Sequence, residues 1–183
     1  MMMTDNTPQV QDFNMIPLPD VKNPARNTEQ SRRLHRCSFI GMKGITRSEA
    51  ETRKDIDALV REAIADGFTT FITGMSCGFE MWAGEAVTRF RRDNPSIHLI
   101  AAVPFPGFEG RWSANMQIEY NELLRAADVV RYLSPSYSSD AYQRREEWMI
   151  DHSARIITIA DCGKSIDYAR MLEVPSEIGR AHV

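Results

Sequence analysis

From Arg36 onward, short apolar runs rich in β-branched and aromatic residues alternate with longer amphipathic stretches, and this alternation constrains the fold more than any other feature. Strands joined in this way pair in parallel and need helices on both faces, which is the construction of an open α/β sheet. The first run is Cys37-Ser38-Phe39-Ile40, closed by Gly41. Thr46 and Glu49 have capping-box spacing, and Ile56, Leu59, Val60, Ala63 and Ile64 then repeat at the helical period. Gly67 stands where a left-handed cap ends that helix, and residues 69–73 read as the second strand. A third strand at 97–103 is nearly continuous in apolar residues, as in strands buried on both faces, and Pro104-Phe105-Pro106-Gly107 forces a turn at its carboxyl end. Helices are expected at 78–92, 111–126 and 140–153, and strands at 128–133 and 155–160. The expected fold is a Rossmann-like three-layer α/β sandwich with a five-stranded, mainly parallel sheet of order 3-2-1-4-5, whose ligands bind at the strand carboxyl ends beside the switch point.

A chain of 183 residues is the size of one ordinary domain. Residues 1–34 combine prolines, Asn and Gln without periodicity and are expected to be a disordered N-terminal arm. Residues 35–176 form the expected domain. Residues 177–183 back-translate readily to a common sequencing-adapter sequence and are expected to be a non-native tail.

The net charge of -3 and pI of about 5.8 supply no global basic field, so nucleic acid is not the expected partner. Arg32, Arg33, Arg36, Lys43 and Arg47 share one stretch without an acid, to be read either as a solvated basic tail or as a phosphate contact. Mean hydropathy is -0.38 and no apolar run approaches the roughly 18 residues of a spanning helix, so no membrane partner is expected. Three dispersed cysteines without CxxC spacing, and an N-terminus without a secretory pattern, lead to the expectation of a cytoplasmic protein without disulfides. The four histidines show no ligand spacing, and no metal is expected.

The most informative segment runs from Thr73-Gly74-Met75-Ser76-Cys77-Gly78 through Glu85. Two glycines at a strand end let the backbone approach a ligand, and the helix that follows offers free N–H groups and a positive dipole end to an anion. The alternative is a tight turn and nothing more. The segment is neither a Walker A loop nor a Gly-x-Gly-x-x-Gly fingerprint.

These residues carry a resemblance. Phe39-Ile40-Gly41, Thr70-Phe71-Ile72-Thr73-Gly74-Met75 with Gly78, Glu80, Trp82, Ala83 and Glu85, Ala101-Ala102-Val103-Pro104, Trp112, Tyr120, Leu123-Leu124, Ala127-Asp128, and Tyr142 with Arg145, Met149 and Asp151 together resemble the YpsA-like branch of the SLOG superfamily. Its relatives are the LOG phosphoribohydrolases and the DNA-processing protein DprA. The resemblance implies a Rossmann-like fold with a pocket for a nucleotide derivative. Three positions depart from the family pattern: Gly41-Met42-Lys43 replaces Gly-His-Arg, Arg145-Glu146 replaces Arg-Asn, and Asp161-Cys162-Gly163-Lys164-Ser165 stands where the family has Gly-Gly-Thr.

The candidate ligand-binding residues are Gly41, Lys43, Gly74, Met75, Gly78, Glu80, Trp82, Glu85 and Arg145. Glu80 and Glu85 lie about 140° apart on a helix, so only one points inward. Glu80 is read either as an acceptor of ribose hydroxyls or as a charge placed at a helix N-terminus. Trp82 and Trp112 either stack on a base or fill core, and Arg145 either clamps a phosphate or joins a surface ion pair. Cys77 is read as an activated thiol or, more simply, as an inert small residue. Tyr132 and Tyr137 are read as packing and turn residues. The function expected is recognition of a nucleotide-derived small molecule by a sensor or regulator, with no required cofactor and a homo-oligomer compatible with the sequence. An N-glycosidic hydrolase of nucleoside monophosphates and a DNA-associated protein are the alternatives, and whether there is catalysis stays open.

Overall fold

The computed structural model describes residues 28–41, 47–158, 164–172 and 176–178. The chain runs α1 (Glu29–Arg33), β1 (Arg36–Phe39), α2 (Glu49–Ala65), β2 (Thr70–Thr73), α3 (Phe79–Asp93), β3 (His98–Val103), α4 (Ala114–Ala126), β4 (Val129–Tyr132), α5 (Ala141–Asp151), β5 (Arg155–Thr158), α6 (Lys164–Met171) and β6 (Ser176–Ile178). Every strand pair is parallel, and the sheet order is β4-β3-β2-β1-β5-β6.

The Rossmann-like α/β sandwich expected from the sequence is the fold observed, with the expected neighbours β3-β2-β1 at its centre. In place of the position between β1 and β5, β4 extends the sheet beyond β3, and β5 pairs directly with β1. Burial supplies the physical reason. β2 is buried throughout, whereas Arg131 and Tyr132 of β4 are exposed, which an edge strand tolerates and an interior strand does not. The chain fills one side of β1 with β2 to β4 and then returns to the other with β5, so the switch point lies between β1 and β5.

Alternation along the strands sorts side chains into two cores. Phe39, Phe71, Leu99, Ala101 and Ile157 face one side and pack with Ile56, Val60 and Ala63 of α2, Val87 of α3 and Leu123 of α4. Ile72, Ala102 and Ile156 face the other, with Met149 and Ile150 of α5 and the partly buried Tyr168 and Leu172. Buried Ser38 is satisfied on that second side by the Met149 carbonyl at 3.0 Å and the Ser153 hydroxyl at 2.6 Å.

Local boundaries differ from expectation in informative ways. The helix α2 is capped by Ser48, whose Oγ accepts from Glu51 N–H at 3.2 Å and donates to Glu51 Oε2 at 2.9 Å. The same spacing was expected two residues earlier, at Thr46, which lies outside the described residues. Gly67 caps the other end at φ 96°, as expected. Helix α4 begins at Ala114 because Ser113 caps it, and turns with Gly107 at φ 77° precede it. Within the expected disordered arm, Thr28 accepts from Ser31 N–H at 3.2 Å and starts α1, whose Arg33 Nε donates to Ser153 O at 2.9 Å. The rest of that arm, residues 1–27, lies outside the described residues. Glu177 and Ile178, assigned above to the tail, belong to β6 and pair in register with Ile157 and Thr158. No described helix is long and apolar enough to cross a membrane.

Candidate functional site

Parallel strands bring all their carboxyl ends to one edge of the sheet. Along that edge, in sheet order, come the turn after β4, the turn after β3, the glycine loop after β2 and Gly41 after β1.

The glycine loop is shaped by Thr73, Met75 and Gly78. Thr73 Oγ1 donates to Glu80 O at 2.6 Å and accepts from Met75 N–H at 3.3 Å, tying the strand end to the first turn of α3. Met75 is fully buried and adopts φ 64°, a left-handed conformation uncommon outside glycine. Gly78, at φ 86°, is the N-cap of α3 and brings no side chain to that helix end. No side-chain cap bonds the first N–H groups of α3, and the acid placed at the positive end of its dipole is Glu80, in the first turn.

Beneath this loop lies a polar seam. Glu80 is 1% exposed; its Oε1 accepts from Gly41 N–H at 3.3 Å and its Oε2 from Ser76 N–H at 3.0 Å. Arg145, 2% exposed, reaches over from α5: its Nη1 donates to Gly74 O at 2.7 Å and to Ser76 Oγ at 2.9 Å, and lies 3.6 Å from Glu80 Oε2. Arg145 Nη2 is 3.7 Å from Glu146, while its Nε has no hydrogen-bond partner among the described residues. One carboxylate and one guanidinium thus hold together the ends of β1 and β2 and the start of α5.

Two glycines make this approach possible. A Cβ on Gly41 would overlap Phe79 Cδ1 and sit 2.9 Å from Phe79 Cβ. One on Gly74 would lie 2.6 Å from Glu80 Oε2 and 3.0 Å from Arg145 Cζ.

The remaining candidates fall into different places. Glu85 turns away from Glu80, as the helical angle requires, and pairs with Arg53 of α2 at 2.6 Å. Arg53 also lies 5.3 Å from the Trp82 ring centroid and bonds Glu49, so Trp82 and Glu85 join a half-buried cluster between α2 and α3, apart from the seam. Trp112 sits edge-to-face on Phe108 and Tyr120, with centroids at 4.9 and 5.5 Å. Lys43, Asp161, Cys162 and Gly163 lie outside the described residues, and the side chains of Lys164 and Ser165 are likewise undescribed. No three His, Cys, Asp or Glu side chains converge on a potential metal site among the described residues.

Sequence reasoning missed two features of this edge. Ser76 is one: its N–H and hydroxyl complete the seam. The other is an aromatic wall over β3 and β4. Phe105, just after β3, makes edge-to-face contacts with Tyr137 at 5.5 Å and Tyr142 at 5.9 Å, and the Tyr142 ring lies 5.8 Å from the Arg145 guanidinium carbon. Phe105 also meets Phe108, which leads inward to Tyr120. Burial pushes the Tyr120 phenol well above its ordinary pKa of 10.0, and the charges of Glu109 and Tyr132 add to that shift. The signal available in the sequence was an aromatic within a few residues of the ends of β3 and β4, Phe105 and Tyr137. Elsewhere, a depression of about 310 Å³ beside α5 and α6 is lined by Glu146, Glu147 and Asp167, a charge unsuited to phosphate.

A parallel sheet whose strand ends are stitched around a glycine loop, with a buried acid two residues past the second glycine, defines a Rossmann-like domain of the SLOG type. The chain belongs to the YpsA family, whose model, described as "YspA SLOG family", matches residues 49–174. Among curated proteins it is 28% identical over 134 residues to a UPF0398 protein of Halalkalibacterium halodurans, covering 72% of this chain and 69% of that one. It is 29% identical over 129 residues to the uncharacterized SPbeta prophage-derived protein YoqJ of Bacillus subtilis, covering 61% and 75%. Among solved structures, DNA processing protein A of Helicobacter pylori superposes with a TM-score of 0.55 at 18% identity, over 81% of this chain and 66% of that one. DprA of Streptococcus pneumoniae gives 0.51 at 14%, over 79% and 49%. The chain spans under two thirds of the length of each DprA, and at these identities the likeness is one of fold.

Proposed function

We propose that the protein binds a nucleotide or nucleotide-derived small molecule at the carboxyl ends of β1 and β2, as a sensor or regulator. The observation that carries this reading is the seam itself. Glu80 and Arg145 are buried at a cost that ion pairing alone does not reliably offset. Their bonds hold Gly41, Gly74 and Ser76 in fixed positions beside a helix N-terminus without a side-chain cap. Such preorganised backbone at a helix start is suited to an anionic group such as phosphate. Glu80 works in this reading as the residue that positions the loops, since its two oxygens already accept from Gly41 and Ser76. That favours binding over glycosidic cleavage, which needs a carboxylate facing the ribose.

The test is thermal unfolding of the full chain against millimolar AMP, ATP, NAD, ADP-ribose and adenosine, with released base assayed in parallel. A ligand at about 100 times its Kd adds roughly 2.7 kcal/mol, or on the order of 5–10 °C for a chain of this size. A shift without base release is expected; release abolished by Glu80→Gln would make the protein a glycosidase instead. A single-stranded oligonucleotide belongs in the panel because the H. pylori DprA structure is described with a single-stranded DNA binding mode. A salt-sensitive shift with it alone would assign a nucleic-acid ligand.

A further inference from the structure

We infer that Tyr137, backed by Phe105 and Tyr142, is the stacking surface for the base of the bound nucleotide; this rests on the binding reading above and adds the part of the ligand that sets specificity. Tyr137 is 68% exposed, although it is a large ring in a short turn. Its edge-to-face contact with the buried Phe105 gives that exposed ring a rigid support. A ring held in this way offers aromatic surface to solvent without the entropy cost of ordering a floppy side chain.

Position along the sheet edge makes the assignment specific. The seam lies over β1 and β2, and the wall lies over β3 and β4. Strand spacing puts these two regions on the order of 10 Å apart, a separation bridged by a phosphate, a ribose and a base joined in series. Tyr142 is the physical link, since its ring touches Phe105 on one side and lies 5.8 Å from the Arg145 guanidinium carbon on the other. The two tryptophans that first suggest stacking are engaged elsewhere: Trp82 under Arg53, and Trp112 between Phe108 and Tyr120. The ligand class that fits both regions carries an anionic group at one end and a planar heteroaromatic ring at the other.

The experiment is calorimetric titration of the full chain with AMP, GMP, CMP and UMP, and with ribose 5-phosphate as the probe that lacks a base. Wild type should bind at least one nucleoside monophosphate more tightly than ribose 5-phosphate. Tyr137→Leu should weaken that monophosphate by at least about fivefold, the low end of base–aromatic stacking, and leave ribose 5-phosphate unchanged. Tyr137→Trp should restore the affinity. Equal binding of the monophosphate by wild type and Tyr137→Leu would overturn the stacking assignment and leave the phosphate cradle standing. Failure of wild type to bind any of the five probes, or any compound of the thermal panel, would overturn the binding reading and this inference with it.

Discussion

Over β1 and β2 the carboxyl edge is closed by charge, with Glu80 and Arg145 buried and sharing the Gly74–Ser76 loop between them. Over β3 and β4 it is covered by rings, and one of them, Tyr137, stands mostly in solvent. The difference is one of tolerance. A buried ion pair adds little net stability but is costly to break, so it fixes geometry. Edge-to-face ring contacts contribute about 0.5–1.5 kcal/mol each and degrade gradually, so that half of the edge can vary in shape without loss of the fold.

The largest effect expected from this contrast is at Glu80. Glu80→Ala leaves Arg145 buried without its carboxylate and releases two N–H groups, and should cost about 3–5 kcal/mol, on the order of 10 °C in Tm. A loss near zero in a thermal scan would mean that the seam does not set the geometry of the edge. Next in size is Gly41→Ala, where the new methyl overlaps Phe79; the overpacking should cost about 1–3 kcal/mol, read as a lower urea midpoint at unchanged m-value.

On the aromatic side the expected effects are smaller and depend on pH. Tyr120 has its folded pKa raised above the unfolded value of 10.0, so its contribution is fully present below pH 10 and is lost as pH rises beyond it. Tyr120→Phe should therefore flatten the fall of Tm between pH 9.5 and 11, values chosen to bracket about pH 10. An unchanged slope would assign that fall to other groups. The smallest expected change is the stability of Tyr137→Leu, a loss of about 0.5–1 kcal/mol from the edge-to-face contact with Phe105, because most of the ring is exposed. A larger loss would move Tyr137 from the open half of the edge into the core.

The alternation of apolar runs and amphipathic stretches was enough to read the parallel sandwich, because periodicity records which face of an element is buried. It placed β4 beside β1, where the structure has β5, since both sides of the sheet satisfy the same crossover rule. Arg131 and Tyr132, polar or amphipathic at successive positions, were the local sign of an edge. The glycine loop was legible for a similar reason: a glycine at φ 86° and a helix start leave a compositional trace. The partners of Glu80 did not, because Gly41 and Arg145 meet it through backbone and side-chain contacts far apart in sequence. In sequence Tyr137 reads as a turn residue because its neighbours are serine and proline, and only its support by Phe105 reveals an alternative.

The reach of Glu80 also bears on how such a chain can diverge. A single carboxylate takes its bonds from Gly41 and Ser76 and stands beside Arg145, so the lengths of these three segments are locked to one another. Adding or deleting a residue between Thr73 and Ser76 would withdraw a donor from that carboxylate, whatever the new residue's identity. The serine-rich turn after β4 is held by the Ser134 N–H bond to Pro104 O and by the ring of Tyr137 on Phe105. Neither depends on the length of the turn beyond Tyr137, so insertions are expected between Tyr137 and α5, lengthening the rim over β3 and β4 while the glycine loop keeps its length.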